Sequence, residues 1–491
     1  MMLHTDQKPP QNRLRRRLCL ALIVLLVPIF FLLHALVSNS GRTGGVGRDG
    51  KNIGGMYYLY QGRVYMNIAF QGYYIVPQAD AASFESLAWG AIAMGKDKKA
   101  VYCGSRTISG LDPRRIAFVS PGYISDGNSA WYCNEKSNPG YHWWQIFTRD
   151  NTEDSLSKAR EKDYQLIQLD GVDAGKLKTV AVGYAYDDKT IFFEGQSIAG
   201  SDAASVQTVK LGFGDNKGRD SSYYLRDRNR VYYKGIPLAG AYPEQFTVLV
   251  PDSDQWQTAY GFDAATGKYY FGEEAFPDTV DKTDTRYLKL LLADRDRAYH
   301  ELFYNENGIW YWNYRGTGLE RACANPFHLA HMPDGKPVEL ASGVWADESN
   351  TFIAQAVQDW RSGRSDTSLR ANNTELLMMN GVSSSDWEKI EDIKQGWSTR
   401  GTLWRAHNTY YYTPSSVLNV GFTDSLYQVT DVRKLKDGIA QRQDQPNWRI
   451  SGRRITFVPA LIQDKVLISV PAAPIVCRST SPYPSELEFW K

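Results

Sequence analysis

Hydrophobic and polar positions divide the chain into one long apolar run and a much longer region of short alternating segments. The run extends from Leu18 to Val37 and contains twenty residues without a formal charge. At helical rise, a run of this length spans about 30 Å, the thickness of a bilayer core. The pattern therefore predicts one transmembrane helix over residues 18–37, with the lipid bilayer as its partner.

The charges that flank this run predict its orientation. Arg13, Arg15, Arg16 and Arg17 precede it, and the segment that follows carries fewer basic residues. Because positively charged flanks stay in the cytoplasm, we expect residues 1–17 to form a cytoplasmic basic tail. The bulk of the chain is then expected on the periplasmic or extracellular side of a bacterial inner (plasma) membrane, as a single-pass protein.

Two other interpretations of the apolar run stay open. A cleaved signal peptide also begins with basic residues, but its apolar core usually has about 7 to 15 residues before small residues at the cut. This run is longer, and Ala35 to Ser38 is a poor cleavage site. A buried core helix is the second alternative, and the adjoining arginine cluster argues against it.

Three segments downstream of the run align without a gap and predict a structural repeat. They begin at Asp97, Asp187 and Asp227 and read DKKAVYCGSRTISGLDPRRIAFV, DDKTIFFEGQSIAGSDAASVQTV and DRNRVYYKGIPLAGAYPEQFTVL. Counting from the aspartate, the fourth position is β-branched or aliphatic, the eleventh is aliphatic and the thirteenth is glycine. Agreement at so many positions indicates a true repeat.

Each segment carries the signals of a turn followed by a strand. The aspartate side chain can accept hydrogen bonds from the next main-chain amides and open a turn, after which Val231 to Tyr233 predicts a strand. Another short apolar stretch precedes each aspartate, so each unit is expected to be a β-meander of hairpins. Weaker copies are expected at further strand cores, which are Val64 to Met66, Trp131 to Cys133, Tyr269 to Phe271, Ile309 to Trp312, Phe352 to Ala354, Tyr410 to Tyr412 and Ile455 to Val458.

These segments resemble the repeats of the DKNYY family, which are named for an aspartate-rich turn before a strand with paired aromatic residues. In those repeats, a glycine and a GADP-like segment follow the strand. The segment from Asp227 carries the pattern most clearly, and the segments from Asp97 and Asp187 carry it in part. The resemblance implies a β-repeat architecture and no particular chemistry.

Composition favours the same fold class. The chain contains 31 Tyr, 14 Trp and 19 Phe, and aromatic residues suit half-buried pleated surfaces. We therefore expect residues 56–480 to form an all-β domain of repeated meander units. Units near 40 residues with about four strands match a propeller blade, so a propeller-like arrangement is predicted, with an elongated stack of hairpins as the alternative.

Three segments depart from the repeat pattern. The glycine-rich residues 38–55 predict a flexible linker, and residues 481–491 predict a C-terminal tail. Within residues 349–400, FIAQAVQDW and SSSDWEKIEDIKQG predict a partly helical insertion. The second of these helices is expected to be capped by Ser384 or Ser385 and to end at Gly396.

The number and the positions of the cysteines indicate whether disulfides can form in the region that is expected to be exported. Cys19 lies in the apolar run, which leaves Cys103, Cys133, Cys323 and Cys477 in the region expected to be exported. An even number of cysteines there permits two disulfides. Cys103 and Cys133 follow a VY or WY pair at the same repeat position, so a bridge between these two is a specific hypothesis.

The sequence contains no phosphate-binding glycine loop, nucleophile elbow or paired-cysteine metal site, and it predicts no catalytic residue and no cofactor. The net charge is +2, which gives no gross basic signature for nucleic acid. The best metal candidate is CANPFHLAH, with Cys323, His328 and His331, but a structural zinc site normally has four ligands. We expect packed or solvent-facing histidines and a disulfide-bonded Cys323 instead. The turn aspartates supply too few oxygens for calcium and are expected only to fix their turns.

Trp143, Trp144, Trp310 and Trp312 are candidate binding aromatics, because tryptophan is enriched at binding hot spots. The alternative is that they pack between sheets, as most aromatic residues of a meander do. The sequence as a whole favours a membrane-anchored, extracytoplasmic, non-catalytic binding or scaffold protein with a protein or glycan partner. The alternatives are an envelope glycan hydrolase and an immunity-type protein that neutralises a toxin at the membrane.

Overall fold

The structure is a computed structural model of the chain. It describes residues 46–68, 72–87, 94–135, 164–212, 217–250, 259–294, 297–313, 318–329, 332, 335–362, 367–415, 424–440, 446–451, 454–470 and 474–482. These residues fall into two compact units. The N-terminal unit runs to Lys210 and includes Gly218–Glu244, and the C-terminal unit contains the remaining described residues.

The N-terminal unit, as far as it is described, contains five antiparallel sheets of four strands each. In every sheet, strands that are consecutive in the chain are neighbours, so each sheet is a meander. The strands of the five sheets are β1 (Lys51–Gly54), β2 (Tyr57–Tyr60), β3 (Arg63–Ile68) and β4 (Gly72–Ile75); β5 (Glu85–Ser86), β6 (Met94–Lys96), β7 (Val101–Cys103) and β8 (Arg106–Ile108); β9 (Ala117–Ser120), β10 (Tyr123–Ser125), β11 (Ala130–Glu135) and β12 (Tyr164–Gln168); β13 (Lys178–Ala181), β14 (Tyr184–Tyr186), β15 (Ile191–Phe193) and β16 (Gln196–Ser197); and β17 (Gln207–Lys210), β18 (Asp220–Arg226), β19 (Val231–Tyr233) and β20 (Ile236–Pro237).

The described part of the C-terminal unit contains two more four-stranded meanders, two five-stranded sheets and two isolated hairpins. The meanders are β21 (Phe246–Val250), β22 (Tyr260–Asp263), β23 (Lys268–Phe271) and β24 (Glu274–Ala275), and β27 (Lys289–Leu292), β28 (Leu302–Asn305), β29 (Gly308–Asn313) and β30 (Gly318–Cys323). The hairpins are β25 (Thr279–Val280) with β26 (Thr283–Asp284), and β39 (Pro446–Ser451) with β40 (Arg454–Pro459).

The two five-stranded sheets are completed by strands from the C-terminal end of the described chain. One sheet contains β31 (Val338–Ala341), β32 (Val344–Ala346), β33 (Asn350–Ser362) and β34 (Thr367–Asn380), and β42 (Ile475–Pro482) pairs with β34. The other contains β35 (Trp387–Gln395), β36 (Ser398–Ala406), β37 (Thr409–Pro414) and β38 (Tyr427–Val429), and β41 (Leu467–Ser469) pairs with β38. β41 and β42 are therefore edge strands of two different sheets.

Helices are short in the described residues. They are α1 (Val46–Asp49), α2 (Val432–Ala440) and α3 (Ala460–Gln463), and the single-turn 3₁₀ helices are Ala203–Ser205, Pro243–Gln245, Thr285–Tyr287 and Ser384–Asp386. α2 is amphipathic and buries Leu435 and Ile439 in a core that also contains Leu403 and Tyr427. It is therefore held by tertiary packing, because an isolated helix of this length is marginal in water.

An aromatic pair recurs at the same place in successive hairpins. Directly opposite residues of the second and third strands bring two rings together, with centroids 4.7 to 5.1 Å apart. The pairs are Tyr123 with Tyr132, Tyr184 with Phe193, Tyr224 with Tyr233 and Tyr260 with Phe271. Cross-strand aromatic pairs each contribute up to about 1 kcal/mol to sheet stability. The abundance of tyrosine in the sequence is thus explained by a structural role.

The core of the N-terminal unit is shared between consecutive sheets. Tyr184 and Ile191 of one sheet pack with Leu225 and Tyr232 of the next. All three residues of β19 are buried, which shows that this short strand is covered on both faces. A strand in that position must be apolar throughout, so its sequence is a continuous run rather than an alternation.

The all-β class and the repeat are confirmed. The seven weaker strand cores named from the sequence lie in β3, β11, β23, β29, β33, β37 and β40. The helical insertion predicted over residues 349–400 is wrong, because the described residues of this range form β33, β34, β35 and the start of β36, with a single-turn 3₁₀ helix at Ser384–Asp386.

Two features explain why a helix was predicted here: the burial of β33 on both faces and the backbone conformation of Gly396. Phe352, Ile353 and Ala354 are all buried, since the strand is covered on both faces here, and a short continuous apolar run does not distinguish a strand from a buried helix. Gly396, the expected helix end, has a φ of +59° and lies in the hairpin turn between β35 and β36. A glycine with positive φ serves both kinds of terminus equally well.

Two boundaries also differ from the prediction. The flexible linker predicted over residues 38–55 overlaps α1 and β1, and β1 pairs with β2 through Lys51 and Asn52. The last strand reaches Pro482, inside the predicted tail 481–491. The transmembrane helix predicted over residues 18–37 lies outside the described residues. Within the described ranges, no helix is long and apolar enough to cross a membrane.

Candidate functional site

The aspartate that opens each repeat joins two turns of the chain by hydrogen bonds to its carboxylate. We call this arrangement the lock. Asp227 accepts hydrogen bonds at Oδ1 from the main-chain N–H groups of Asn229 and Arg230, at 2.7 and 2.8 Å. Its Oδ2 accepts from the Asp202 N–H at 2.8 Å and from the Tyr232 hydroxyl at 2.6 Å. Both carboxylate oxygens are therefore used inside the fold, on a side chain that is only 2% exposed.

The same arrangement recurs in other sheets. Each of these aspartates is buried, binds two successive amides at Oδ1 and binds an amide of an earlier turn at Oδ2; they are Asp97, Asp126, Asp187 and Asp347. Asn305 takes the equivalent position in another sheet, where its Oδ1 accepts from Asn307, Gly308 and the indole of Trp310. The carboxylate is thus a structural acceptor, as expected from the sequence.

These hydrogen bonds determine the ionisation of the turn aspartates. Burial by itself raises the pKa of Asp187, but the N–H groups of Asp173, Lys189 and Thr190 outweigh it and hold the pKa below the ordinary value of an aspartate. The same opposition, with the same outcome, acts on the pKa of Asp97, Asp126 and Asp227. The charged form is favoured because main-chain donors point at it.

A serine also takes part in the lock, and it is not among the residues that were predicted from the sequence. In the tetrapeptide DAAS, Ser205 Oγ donates to Asp202 Oδ2 at 2.7 Å and accepts from the Arg228 N–H at 2.9 Å. Ser83 makes the equivalent bonds to Asp80 and Lys98. The signal was present, since DAAS occurs at residues 80–83 and again at 202–205.

Tyrosine hydroxyl groups connect successive sheets of the N-terminal unit. The Tyr123 hydroxyl donates to the Gly183 carbonyl at 2.9 Å and accepts from the Gly195 N–H at 3.0 Å. The Tyr184 hydroxyl makes the equivalent bonds one sheet further, to the Tyr223 carbonyl and from the Gly235 N–H. Each buried tyrosine therefore satisfies its polar tip in the next hairpin.

The four cysteines of the described residues form two disulfides. Cys103 on β7 is joined to Cys133 on β11, with Cα atoms 5.9 Å apart. Cys323 on β30 is joined to Cys477 on β42, with Cα atoms 5.4 Å apart, across 154 residues of sequence. The second bridge fastens the last strand of the C-terminal unit to an earlier sheet.

The metal candidate Cys323, His328 and His331 is not assembled as a site. Cys323 is in a disulfide, and the main-chain N–H and Nδ1 of His328 both lie close to Asp347 Oδ2, at 2.9 and 3.2 Å. His331 lies outside the described residues. Within the part of the chain that the structure describes, no group of three or more His, Cys, Asp or Glu side chains could hold a metal ion.

Two of the candidate binding aromatics are core residues. Trp310 is 0% exposed and Trp312 is 5% exposed, so neither can stack on a ligand, and their proposed binding role is wrong. Trp312 stacks on Phe271 and Phe276 at centroid distances of 5.1 Å. Trp143 and Trp144 lie outside the described residues.

A serine and a histidine meet in the C-terminal unit, but they do not form a nucleophile. Ser479 Oγ lies 2.8 Å from His300 Nδ1, and Thr374 Oγ1 lies 3.3 Å from the same nitrogen. Ser479 and His300 are each 1% exposed, and a nucleophile must be reached by its substrate. The cluster therefore fastens β42 to β34.

One groove of the C-terminal unit has the character of a binding site. It has a volume of about 300 Å³, the lower end of the range typical of ligand pockets. Its floor is one face of the β33–β34 hairpin, where Ile353 lies opposite Leu377 and Gln355 lies opposite Glu375. The remaining lining residues are Asp424, Leu426, Ser469, Val470 and Ile475. We call this cavity the β33–β34 groove.

The floor of the β33–β34 groove contains an ion pair between the buried carboxylate of Glu375 and the half-exposed guanidinium group of Arg478. Glu375 is 5% exposed, and its Oε1 accepts from Arg478 Nε at 2.9 Å and Nη2 at 2.5 Å. Its Oε2 accepts from Gln355 Nε2 at 3.0 Å. This groove was not predicted from the sequence, because the helix predicted for β33 would not place Ile353 and Gln355 on one face.

The sequence matches a known protein family over two overlapping ranges. The model of the family described as the DKNYY family matches residues 57–217 and residues 184–354. The two matches overlap and together run from residue 57 to residue 354, more than half of the 491 residues. No curated protein matches the chain. Both matched ranges contain sheets that are locked by a turn aspartate.

Proposed function

The chain belongs to the DKNYY family, and from this premise we propose that it is a membrane-anchored, extracytoplasmic, non-catalytic binding or scaffold protein. The observation that carries the extracytoplasmic location is the pair of disulfides, Cys103–Cys133 and Cys323–Cys477. Structural disulfides persist in oxidising compartments and are rare in the cytosol. The apolar run at residues 18–37, preceded by arginines, supports the anchor and its orientation.

The binding role is supported by how the polar groups are distributed. The oxygens of the turn aspartates are occupied by main-chain donors, so these carboxylates stabilise the fold instead of facing a substrate. The β33–β34 groove, in contrast, combines an apolar wall with a few polar groups, which is the usual character of a ligand site. A protein or glycan partner is proposed for the surface of this domain.

A propeller-like arrangement of the sheets is part of the same proposal. It is supported by the repetition of four-stranded meanders, which is the composition of a propeller blade. An elongated stack of hairpins is the alternative. Small-angle X-ray scattering of the protein in detergent separates the two, because a closed ring has a much smaller maximum dimension than a stack of the same number of sheets.

One experiment tests location and binding together. A reporter that is active only outside the cytoplasm is fused after Lys491, and intact cells that carry the fusion are treated with a crosslinker. An active reporter with a reproducible copurifying protein supports the proposal and identifies the partner. A silent reporter contradicts the orientation. An active reporter without a partner, together with turnover of envelope glycans that Asp424→Asn or Glu375→Gln abolishes, would replace the binding role with the hydrolase alternative.

A further inference from the structure

Among the described residues, the apolar part of the β33–β34 groove comes from aliphatic side chains. These are Ile353, Leu377, Leu426, Val470 and Ile475, and none of the described lining residues is aromatic. Ile353 and Leu426 are buried at 3% and 1% exposure, whereas Ile475 is 45% exposed at the rim. A long aliphatic chain that lies along this wall would be removed from water on one side, which is favourable at about 25 cal/mol per Å².

The described polar residues of the β33–β34 groove carry a net negative charge. Glu375 is neutralised by Arg478 and bonded to Gln355, so this pair contributes no net charge. Asp424 is held by its main-chain N–H, which donates to the Tyr427 hydroxyl at 2.9 Å. Among the described residues, no basic side chain forms an ion pair with the Asp424 carboxylate. The groove therefore presents one carboxylate beside an aliphatic wall.

We infer that the β33–β34 groove binds an aliphatic primary ammonium group of the kind that a lysine side chain carries, with Asp424 as its counterion. The inference rests on the proposed binding function and specifies its ligand. A volume of about 300 Å³ equals about ten water molecules, which is room for one long side chain. A lysine combines an apolar stem with a compact charged tip, and the wall and the carboxylate match these two parts.

Other ligand classes match the lining less well. An anion is repelled by Asp424. Quaternary ammonium groups are usually held by aromatic faces, and the lining contributed by the described residues contains none. A guanidinium group has five N–H donors and an ammonium group has three, and both oxygens of Glu375 are already bonded to Arg478 and Gln355, so the described lining satisfies an ammonium group more completely. The partner is therefore expected to present a lysine.

Binding of blocked lysine, Nα-acetyl-lysine methylamide, tests the inference. The full chain is placed in nanodiscs of neutral phosphatidylcholine, and binding is measured by ligand-observed NMR against empty nanodiscs. We expect saturable binding of blocked lysine and at least fivefold weaker binding of blocked norleucine, which has the same stem without the charge. Asp424→Asn should weaken blocked lysine about fivefold, the upper end for one partly exposed ion pair. Asp437→Asn, an exposed carboxylate on α2, should leave it unchanged.

A second pair of variants tests the aliphatic wall. Ile475→Thr at the groove rim should weaken blocked lysine about threefold, whereas Ile468→Thr, which is 40% exposed on β41 and does not line the groove, should not change it. Equal binding of blocked norleucine, tighter binding of blocked arginine, or no effect of Asp424→Asn would each overturn the inference. If blocked lysine does not bind but a partner is still crosslinked in cells, the ligand inference fails and the proposed function stands.

Discussion

Asp227 accepts a hydrogen bond from the main-chain N–H of Asp202, twenty-five residues earlier in the chain. The bond joins the turn before β17 to the turn between β18 and β19, and the Ser205 hydroxyl closes the same contact by accepting the Arg228 N–H. Because both turns belong to one sheet, the lock fixes where the first strand enters relative to the following hairpin.

Adjacent aspartates should respond very differently to the same substitution. Asp187→Asn places an amide N–H₂ against main-chain donors that a carboxylate now accepts, so we expect a loss of about 2 kcal/mol in the free energy of unfolding. Asp188 is 59% exposed and its contact is a surface ion pair with Lys176. Asp188→Asn should therefore cost less than about 1 kcal/mol. Urea unfolding of both variants measures the difference, and equal losses would contradict the lock.

Acid should weaken the fold through the turn aspartates. The pKa of Asp187 is lower in the folded state than in the unfolded chain, so its contribution is present above about pH 4 and is lost as pH falls through the folded pKa. The stability gap between the wild type and Asp187→Asn should therefore narrow from pH 6 to pH 3. Urea midpoints at several pH values measure it. A gap that widened in acid would show that the folded pKa is raised instead.

Alanine substitutions at two glycines distinguish the cost of backbone strain from the cost of steric crowding. Gly235 has a φ of +81°, and a Cβ there would lie 2.8 Å from the Phe193 Cβ, whereas Gly240 has a φ of +72° with open space around it. Gly240→Ala should cost only the left-handed conformation, about 1 kcal/mol. Gly235→Ala should cost about 1 to 3 kcal/mol more, because the contact must also be relieved. Thermal melting of the two variants tests this, and a larger loss for Gly240→Ala would contradict it.

The two disulfides predict a simple labelling pattern. In protein that is isolated from its native cells, denatured and left unreduced, only Cys19 should react with an alkylating reagent. After reduction, all five cysteines of the chain should react, and mass spectrometry counts the labels. Cys323→Ser with Cys477→Ser should lower the free energy of unfolding by about 2 to 5 kcal/mol. Five labels without reduction would argue against an oxidising compartment.

Buried and exposed tryptophans should differ in their effect on stability. The indole of Trp310 donates to Asn305 Oδ1 at 3.1 Å and the side chain is 0% exposed, so Trp310→Phe should cost about 1 to 3 kcal/mol. Trp397 at the tip of the β35–β36 hairpin is fully exposed, and Trp397→Phe should change stability by less than about 0.5 kcal/mol. Chemical denaturation followed by far-UV circular dichroism compares them.

The repeat could be predicted from the sequence because its signals are local. Asp187 accepts hydrogen bonds from the main-chain amides of Lys189 and Thr190, two and three residues later. The whole turn therefore lies within four consecutive residues of the sequence. The strand that follows has a fixed spacing from that turn. Class and repeat therefore follow from short windows of sequence, and neither needs knowledge of which sheets lie side by side.

The error at residues 349–400 and the missed groove have a common physical cause. β33 and β34 are thirteen and fourteen residues long, and their outward-facing residues are covered by chain segments about a hundred residues away, such as Val470 and Ile475. Burial of both faces removes the alternation that identifies a strand. Glu375 and Arg478 are separated by 103 residues in the sequence. Their ion pair therefore cannot be predicted from a local sequence pattern.

The tyrosine contacts between sheets also bear on how such a chain can change in length. Tyr123 reaches the hairpin that contains Gly195, and Tyr184 makes the same contact with the hairpin that contains Gly235. A duplicated copy of the segment between these hairpins would bring its own tyrosine and its own acceptor, so both of its ends would find the partners that they require. A cut within one repeat would instead leave a buried hydroxyl unmatched. Recombination between repeats is therefore expected to preserve whole units, and relatives should differ by whole copies.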